Sequence, residues 1–326
     1  MSEEVVQFSC SICGSNLKVS PEDIISTCKY CGGINIVSGI IDREDVFIIP
    51  SVDEGRVVEE FWKRVRGDLD LKKIVEKIKI SSIQGWYIPF WITRVYLDGM
   101  IIYTKKEYRG KNVKLVKKKE RFSEVVDVDV IGRRQVKNIG LRELVKAYLK
   151  SGIKAVEIGK LEENWWRLNK LKMLNIEFDR DEASIMLREE AVDFARKKWE
   201  SMIDKIEFFE AEVKSMEKPR LILLPLWEVV YEYSGSLYFA IHEGWRGMPI
   251  VFAEPISIGR RTLYLIGMIS SILGGVSIGS ILSLTPLNDV NDILIIIMLS
   301  LFLLVLIGYR SAKKFVSDVR VEKIWK

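Results

Sequence analysis

The sequence predicts an α+β protein in three parts, and three observations predict it. All four cysteines fall within the first 31 residues and form two close pairs. Two segments of the form Pro-x-Trp, each with a glycine at the same later position, recur in the middle of the chain. Two long uncharged runs lie near the C-terminus.

The cysteine pairs are Cys10-Ser11-Ile12-Cys13-Gly14 and Cys28-Lys29-Tyr30-Cys31-Gly32, with 14 residues between them. Two cysteines two residues apart can reach one metal from a single tight turn, and Zn²⁺ takes four such sulfurs in a tetrahedron. Gly14 and Gly32 follow the pairs where a turn needs a residue that tolerates positive φ. Leu17–Val19 and Ile34–Val37 read as short strands. Residues 1–40 are therefore expected to form an N-terminal β zinc ribbon in which Cys10, Cys13, Cys28 and Cys31 hold one structural Zn²⁺, with no position open for catalysis. Two disulfides are the alternative. They need an oxidising compartment, whereas the start Met1–Ser9 is acidic and lacks the apolar core of a secretory signal. A redox CxxC would stand at a helix start, and not as twin glycine-followed pairs.

Residues 41–258 read as a mixed α+β body. Asp53–Arg66 carries Val57, Val58, Phe61, Trp62 and Val65 at helical spacing, and Leu69–Ile80 continues in that style. Leu141–Leu149 is a helix stopped by Ser151-Gly152. Another runs over about Asp181–Met202, with Asp179 and Glu182 placed to cap it. Its expected buried stripe is Ala183, Met186, Leu187, Ala191, Phe194, Ala195, Trp199 and Met202. Residues 88–103 and 224–239 align without a gap: Pro89-Phe90-Trp91 matches Pro225-Leu226-Trp227, and Gly99 and Gly235 each follow the tryptophan by eight residues. Each copy reads as a β-hairpin turning at its glycine, which predicts two related sheets or one sheet with internal pseudo-symmetry.

The stretch from Tyr103 to Phe122 is basic: Lys105, Lys106, Arg109, Lys111, Lys114, Lys117, Lys118, Lys119 and Arg121 stand against Glu107 and Glu120. Arg109-Gly110-Lys111-Asn112 reads as the tip of an exposed hairpin. Three uses fit it: a lysine-blunted sheet edge, contact with anionic lipid, or contact with nucleic acid. The net charge of +5 is modest for dedicated nucleic-acid binding.

Residues 259–312 are expected to form a two-helix transmembrane hairpin, about 263–284 and 293–309, followed by a basic cytoplasmic tail, 313–326. No charge lies between Thr262 and Asn288, and Leu263–Leu284 is long enough to cross a bilayer. Ile293–Tyr309 is too uniformly apolar for a one-faced soluble helix. The link between them carries proline, asparagine and aspartate but no lysine or arginine, whereas Arg260, Arg261, Arg310, Lys313 and Lys314 flank the pair. The positive-inside rule then places both termini in the cytoplasm. Gly267, Ser271, Gly275 and Gly279 form a small-residue stripe, widened by Ser270 and Gly274, for packing on the partner helix or on a second copy of the chain.

Catalytic patterns are sparse. His242 is the single histidine, the cysteines are committed to metal, and neither a phosphate-binding loop nor a dinucleotide fingerprint is present. With three glutamines (Gln7, Gln84, Gln135) and abundant Lys, Glu and Ile, the composition leans towards a thermophilic source.

The two cysteine knuckles, Tyr87-Ile88-Pro89-Phe90-Trp91 and Leu224-Pro225-Leu226-Trp227 together resemble a prokaryotic family of zinc-ribbon membrane proteins. His242-Glu243-Gly244-Trp245-Arg246-Gly247 stands where that family tends to have Asn-Gly-x-x-Gly. The resemblance implies a ribbon, a duplicated Pro-aromatic-Trp hairpin and C-terminal membrane helices. The expected function is a non-enzymatic scaffold that recruits an unidentified protein partner at the inner membrane face. A membrane-tethered nucleic-acid binder using the ribbon and residues 105–121 is the alternative.

Overall fold

The computed structural model describes residues 6–19, 25–37, 45–109, 112–133, 140–161, 171–174, 176–256, 258–284, 291–316 and 319–324. At the N-terminus, β1 (Val6–Ser9) pairs antiparallel with β2 (Asn16–Val19), and β3 (Ile25–Thr27) with β4 (Ile34–Ile36). Each small hairpin carries one cysteine pair in its turn.

The body that follows is mixed α+β. Its elements are β5 (Val46–Ile48), α1 (Glu54–Gly67), β6 (Lys79–Arg109), β7 (Asn112–Ile131), α2 (Leu141–Ser151), β8 (Val156–Glu157), β9 (Lys172–Met173) and α3 (Arg180–Glu200). Then come β10 (Lys205–Met216), β11 (Arg220–Tyr233), β12 (Ser236–Glu243), β13 (Pro249–Pro255), α4 (Ile258–Leu284), α5 (Asn291–Val316) and β14 (Val319–Lys323). The strands of the body form one sheet with the main order β10-β6-β11-β12-β13-β14; β7 and β9 join β6, β5 joins β11, and β8 joins β5.

The Pro-x-Trp segments pair with each other at the centre of this sheet. Ile88 stands opposite Leu224, and these two residues are also equivalent in the sequence alignment, so a local twofold axis passes between them. Their two tryptophans, Trp91 and Trp227, enter the same core, beneath α1 and α3. There Phe61 stacks on Phe252 and meets Tyr231 edge-on, with ring centroids 5.5 and 5.3 Å apart. Such pairs contribute about 0.5–1.5 kcal/mol each beyond the burial of area. The opposite face, with Ile88, Phe90, Leu224 and Ile241, is covered by α2.

The copies diverge at their glycines. The second is a hairpin: Ser234 and Gly235 take φ of 51° and 77°, the turn that joins β11 to β12. The first is not a hairpin, because β6 runs straight through Gly99. Both edges of β6 are occupied there, by β7 and β10, which holds Asp98-Gly99 extended. A Cβ at Gly99 would meet Phe122 Cζ at 2.4 Å and Glu210 O at 2.5 Å, so this glycine permits close approach and does not turn the chain.

Other expectations are refined. α1 is capped by Asp53, which accepts from Arg56 N–H at 2.9 Å. The helix does not resume over Leu69–Ile80. Asp68 accepts from the N–H groups of Asp70 and Leu71, and the chain makes a 3₁₀ turn over Leu71–Lys77 before β6 begins. α3 is capped by Asp179 and buries Ala183, Leu187, Ala191 and Ala195. Met186 and Phe194 are exposed on its flank, and Met202 lies beyond its end.

The segment 313–326 is more than a tail. α5 continues to Val316, and β14 then returns into the sheet beside β13, with Val319 opposite Pro255 and Lys323 opposite Val251. Arg64 of α1 binds Glu254 of β13 at 2.8 Å and Glu322 of β14 at 2.7 Å, and Lys323 binds Glu143 of α2. Sequence reading missed this strand because Val319-Arg320-Val321-Glu322-Lys323 is short and mostly charged. The helical hairpin is thus an insertion between two neighbouring strands.

Candidate metal centre

The four cysteines converge. Their sulfurs all lie within 4.8 Å of one another, with Cys10 Sγ 3.8 Å from Cys31 Sγ and Cys13 Sγ 3.6 Å from Cys28 Sγ. A tetrahedral ion with arms of about 2.3 Å separates its sulfurs by about 3.8 Å, so the cluster fits a four-sulfur metal site. All four cysteines are free of disulfides. Cys10, Cys28 and Cys31 are buried and Cys13 is exposed.

The two knuckles share one construction. Gly14 N–H donates to Cys10 O at 2.9 Å, and Gly32 N–H to Cys28 O at 2.8 Å. Gly14 and Gly32 take φ of 73° and 75°, as the turns require. Backbone N–H groups point at the sulfurs: Ile12 at Cys10 and Gly33 at Cys31, both 3.4 Å away. Burial pushes the Cys28 thiol up, but hydrogen bonds from Ser15 and from the Cys31 and Tyr30 backbone outweigh it and hold the group at about 6.

Asn35 ties the knuckles together, and sequence reading did not single it out. Its Oδ1 accepts from Ser11 N–H at 2.8 Å, and its Nδ2 donates to Cys10 Sγ at 3.5 Å and to Gly33 O at 3.0 Å. Such outer partners fix ligand orientation.

The basic segment forms the outer part of a long β6–β7 arm, closed by the Arg109↔Asn112 pair; Lys111 lies outside the described residues. Strand alternation divides its charges between two faces. Lys105, Lys114 and Lys118 share a face with Glu107, and Lys106, Lys117, Lys119 and Arg121 lie on the other. Three are neutralised locally: Lys118 by Glu107, Lys117 by Glu207 and Lys106 by Asp204. The arm extends past the Ile92↔Arg220 pair, flanked by β10 as far as Thr104, whereas α4 follows the end of β13, at the opposite end of the sheet.

In the helical hairpin, Gly267, Ser271 and Gly274 face α5. A Cβ at Gly267 would lie 3.0 Å from Ser311 Oγ, one at Gly274 3.3 Å from Leu304, and one at Gly308 2.5 Å from Ser271 Oγ. Gly275 and Gly279 have nothing within 4 Å of a built Cβ. The α5 partners Gly308 and Ser311 were legible only as small residues in an apolar run.

His242 is fully buried. Its Nδ1–H donates to Gly247 O at 2.8 Å, and burial lowers its pKa to about 4, so the ring is neutral at physiological pH. The adjacent Glu243 carboxylate accepts from the N–H groups of Trp245, Arg246 and Met248, which closes the β12–β13 turn. Both side chains bind the backbone of that turn.

The helix Thr262–Ser280 within α4 is long and apolar enough to cross a membrane and is little buried within the protein, and Ile297–Ala312 is a shorter apolar stretch of α5. No protein family, curated protein or solved structure matches this chain.

Proposed function

We propose that this chain is a membrane-anchored zinc-ribbon protein that recruits a protein partner on the cytoplasmic side of a bilayer and has no enzymatic activity of its own. The observation that supports this most directly is the insertion of α4 and α5 between β13 and β14. Because Pro255 and Val319 pair, the chain enters and leaves the helical hairpin at one place. Two crossings, and not one, are compatible with that pairing. The ribbon, the body and β14 then share one side, and the flanking Arg260, Arg261, Arg310, Lys313 and Lys314 make that side cytoplasmic. In a reducing compartment, four converging thiols are a site for Zn²⁺.

The test is topological. The full chain should stay with membranes through an alkaline carbonate wash, and tags at either end should be reached only from the cytoplasmic face. Tags on opposite faces, or release by carbonate, would overturn the anchoring. Turnover of a substrate by the purified chain would overturn the non-enzymatic reading.

The direction of the arm favours a second reading over lipid contact. Lys105, Lys114, Lys119 and Arg121 form no salt bridge with a described residue, and they lie at the end of the sheet opposite the helical hairpin, within reach of polyanions in solution. Binding of RNA or DNA by the full chain in lipid nanodiscs, falling steeply with salt, would support a tethered nucleic-acid binder. Indifference to both at low salt would remove it.

A further inference from the structure

The twofold relation between the Pro-x-Trp strands extends into their surroundings. β6 carries β9 and then β7 along one edge, and β11 carries β5 and then β12 along the corresponding edge. Gly132 N–H donates to Pro89 O at 2.9 Å, and Gly244 N–H to Pro225 O at 2.8 Å. Those two glycine carbonyls accept in turn from Glu177 and Val52, each at 2.7 Å. β7 therefore corresponds to β12, and α3 corresponds to α1.

At one place the correspondence is incomplete. The outer edge of β12 carries β13, with Ala240 opposite Phe252 and Ile241 opposite Val251. The outer edge of β7 carries no strand among the described residues. Instead, Asp127–Ile131 border an open groove of about 1220 Å³ between α2 and α3. Five consecutive residues line it, so the strand's edge borders the groove, and not one of its faces. An uncovered edge with free N–H and C=O groups is a template for a further strand.

The groove carries charges of both signs, with Arg142 and Lys146 of α2 and Lys197 of α3 among its acids, and one acid stands where a strand in the β13 position would meet it. On the occupied side, Arg64 of α1 binds Glu254 of β13 and stands over the Phe252 ring, 5.8 Å from its centroid. When the aspartate caps of α1 and α3 are superposed, Asp53 on Asp179, Glu190 falls at the place of Arg64. Glu190 lines the groove with Glu189 and Asp193, and none of the three forms a salt bridge with a described residue. Asp129, on the strand itself, also forms none. Ile185, Met186 and Phe194 are exposed along the same wall.

We propose that this groove takes an extended peptide segment of a partner protein, paired along β7 as β13 is along β12. The segment places an apolar residue where Phe252 stands in the other half and a lysine or arginine where Glu254 stands. This rests on the recruiting function proposed above and names the surface and chemistry of recruitment. Main-chain pairing holds the segment in register, and Glu190 selects the basic side chain and disfavours glutamate at that position.

The probe is a labelled synthetic peptide containing Ile-Val-Phe-Ala-Lys, the sequence of β13 with lysine for its glutamate. It is compared with the parent Ile-Val-Phe-Ala-Glu and with a form carrying proline for valine. The full chain is held in lipid nanodiscs, and binding is read by fluorescence anisotropy and by hydrogen exchange. The lysine peptide should bind at least about tenfold more tightly than the glutamate peptide, slow exchange at Asp127–Ile131, and lose binding with proline. Glu190→Arg should reverse the preference and Glu190→Gln should bring it near parity, with neither variant melting below the parent. Equal binding of the three peptides, or an order that Glu190→Arg leaves unchanged, would overturn the proposal. So would protection of Asp127–Ile131 in the peptide-free chain, because the edge would then already be covered. Carbonate extraction of the same variants reports anchoring separately, so failure of the peptide test and failure of the membrane reading are distinguishable.

Discussion

Cys10, Cys13, Cys28 and Cys31 are legible in sequence as a candidate metal site because metal coordination demands a residue type at a fixed spacing, and little else in the chain can imitate it. Asn35 was not legible, because a polar residue that orients a ligand carries no spacing rule. Among the described residues the N-terminal buried cluster is Cys10, Leu17, Val19, Cys28 and Cys31, too small to hold a fold without a cross-link. Chelation at neutral pH should therefore unfold residues 6–37 while leaving the body sheet protected from hydrogen exchange. Retained protection of the ribbon in metal-free protein would contradict this. Asp129 gives a second prediction. Burial, and then the nearby Glu190, raise its pKa to about 6. The folded state binds this proton more readily than the unfolded chain, so stability is lost as pH rises from the ordinary carboxylate range through about 6. Asp129→Asn should then stabilise the protein by up to about 3 kcal/mol at pH 7 and by almost nothing below pH ~4, as read from denaturant midpoints at the two values.

Elements are decided by their neighbours as much as by their own residues. Gly99 and Gly235 occupy equivalent places after Pro-x-Trp, yet one sits in a continuous strand and the other in a turn. Gly99→Ala should cost about 1–3 kcal/mol by forcing Phe122 and the β10 backbone apart. Gly235→Ala has open space and pays only for its positive φ, about 1 kcal/mol. A smaller loss at Gly99 than at Gly235 would argue against the strand passing through Gly99. The helical hairpin supplies an element-scale test of its own. Replacing residues 256–318 with a short turn joins strands that already pair, so the shortened chain should be soluble, bind the same amount of metal and melt cooperatively. Aggregation of that chain would show that the body depends on the helices.

At the scale of the whole molecule, the consequences lie in direction. The cysteine knuckles, the capped helices α1 and α3, and the apolar runs were readable because each rests on a local period or a fixed spacing. The aligned Pro-x-Trp segments left open whether they build one sheet or two, and did not say that β6 pairs with β11 about Ile88 and Leu224. That β14 closes the sheet beyond the helices was not foreshadowed, and this alone requires that the hairpin's two ends meet. Its clamp predicts a further effect: Arg64→Ala removes a guanidinium shared by Glu254 and Glu322 and should destabilise the fold by about 3 kcal/mol or more. Hydrogen exchange should locate the first loss of protection at β13 and β14. Uniform loosening of the sheet would instead assign Arg64 a general packing role.

The sequence by itself determined the four-cysteine cluster, the α+β class and the apolar character of the C-terminal helices, because these follow from residue chemistry at short range. Tertiary structure decided that Gly99 lies in a strand, that the basic arm and the helices leave opposite ends of the sheet, and that no strand among the described residues covers the β7 edge where β13 covers that of β12. Those outcomes depend on which strands find each other across more than a hundred residues, and no local pattern encodes that choice.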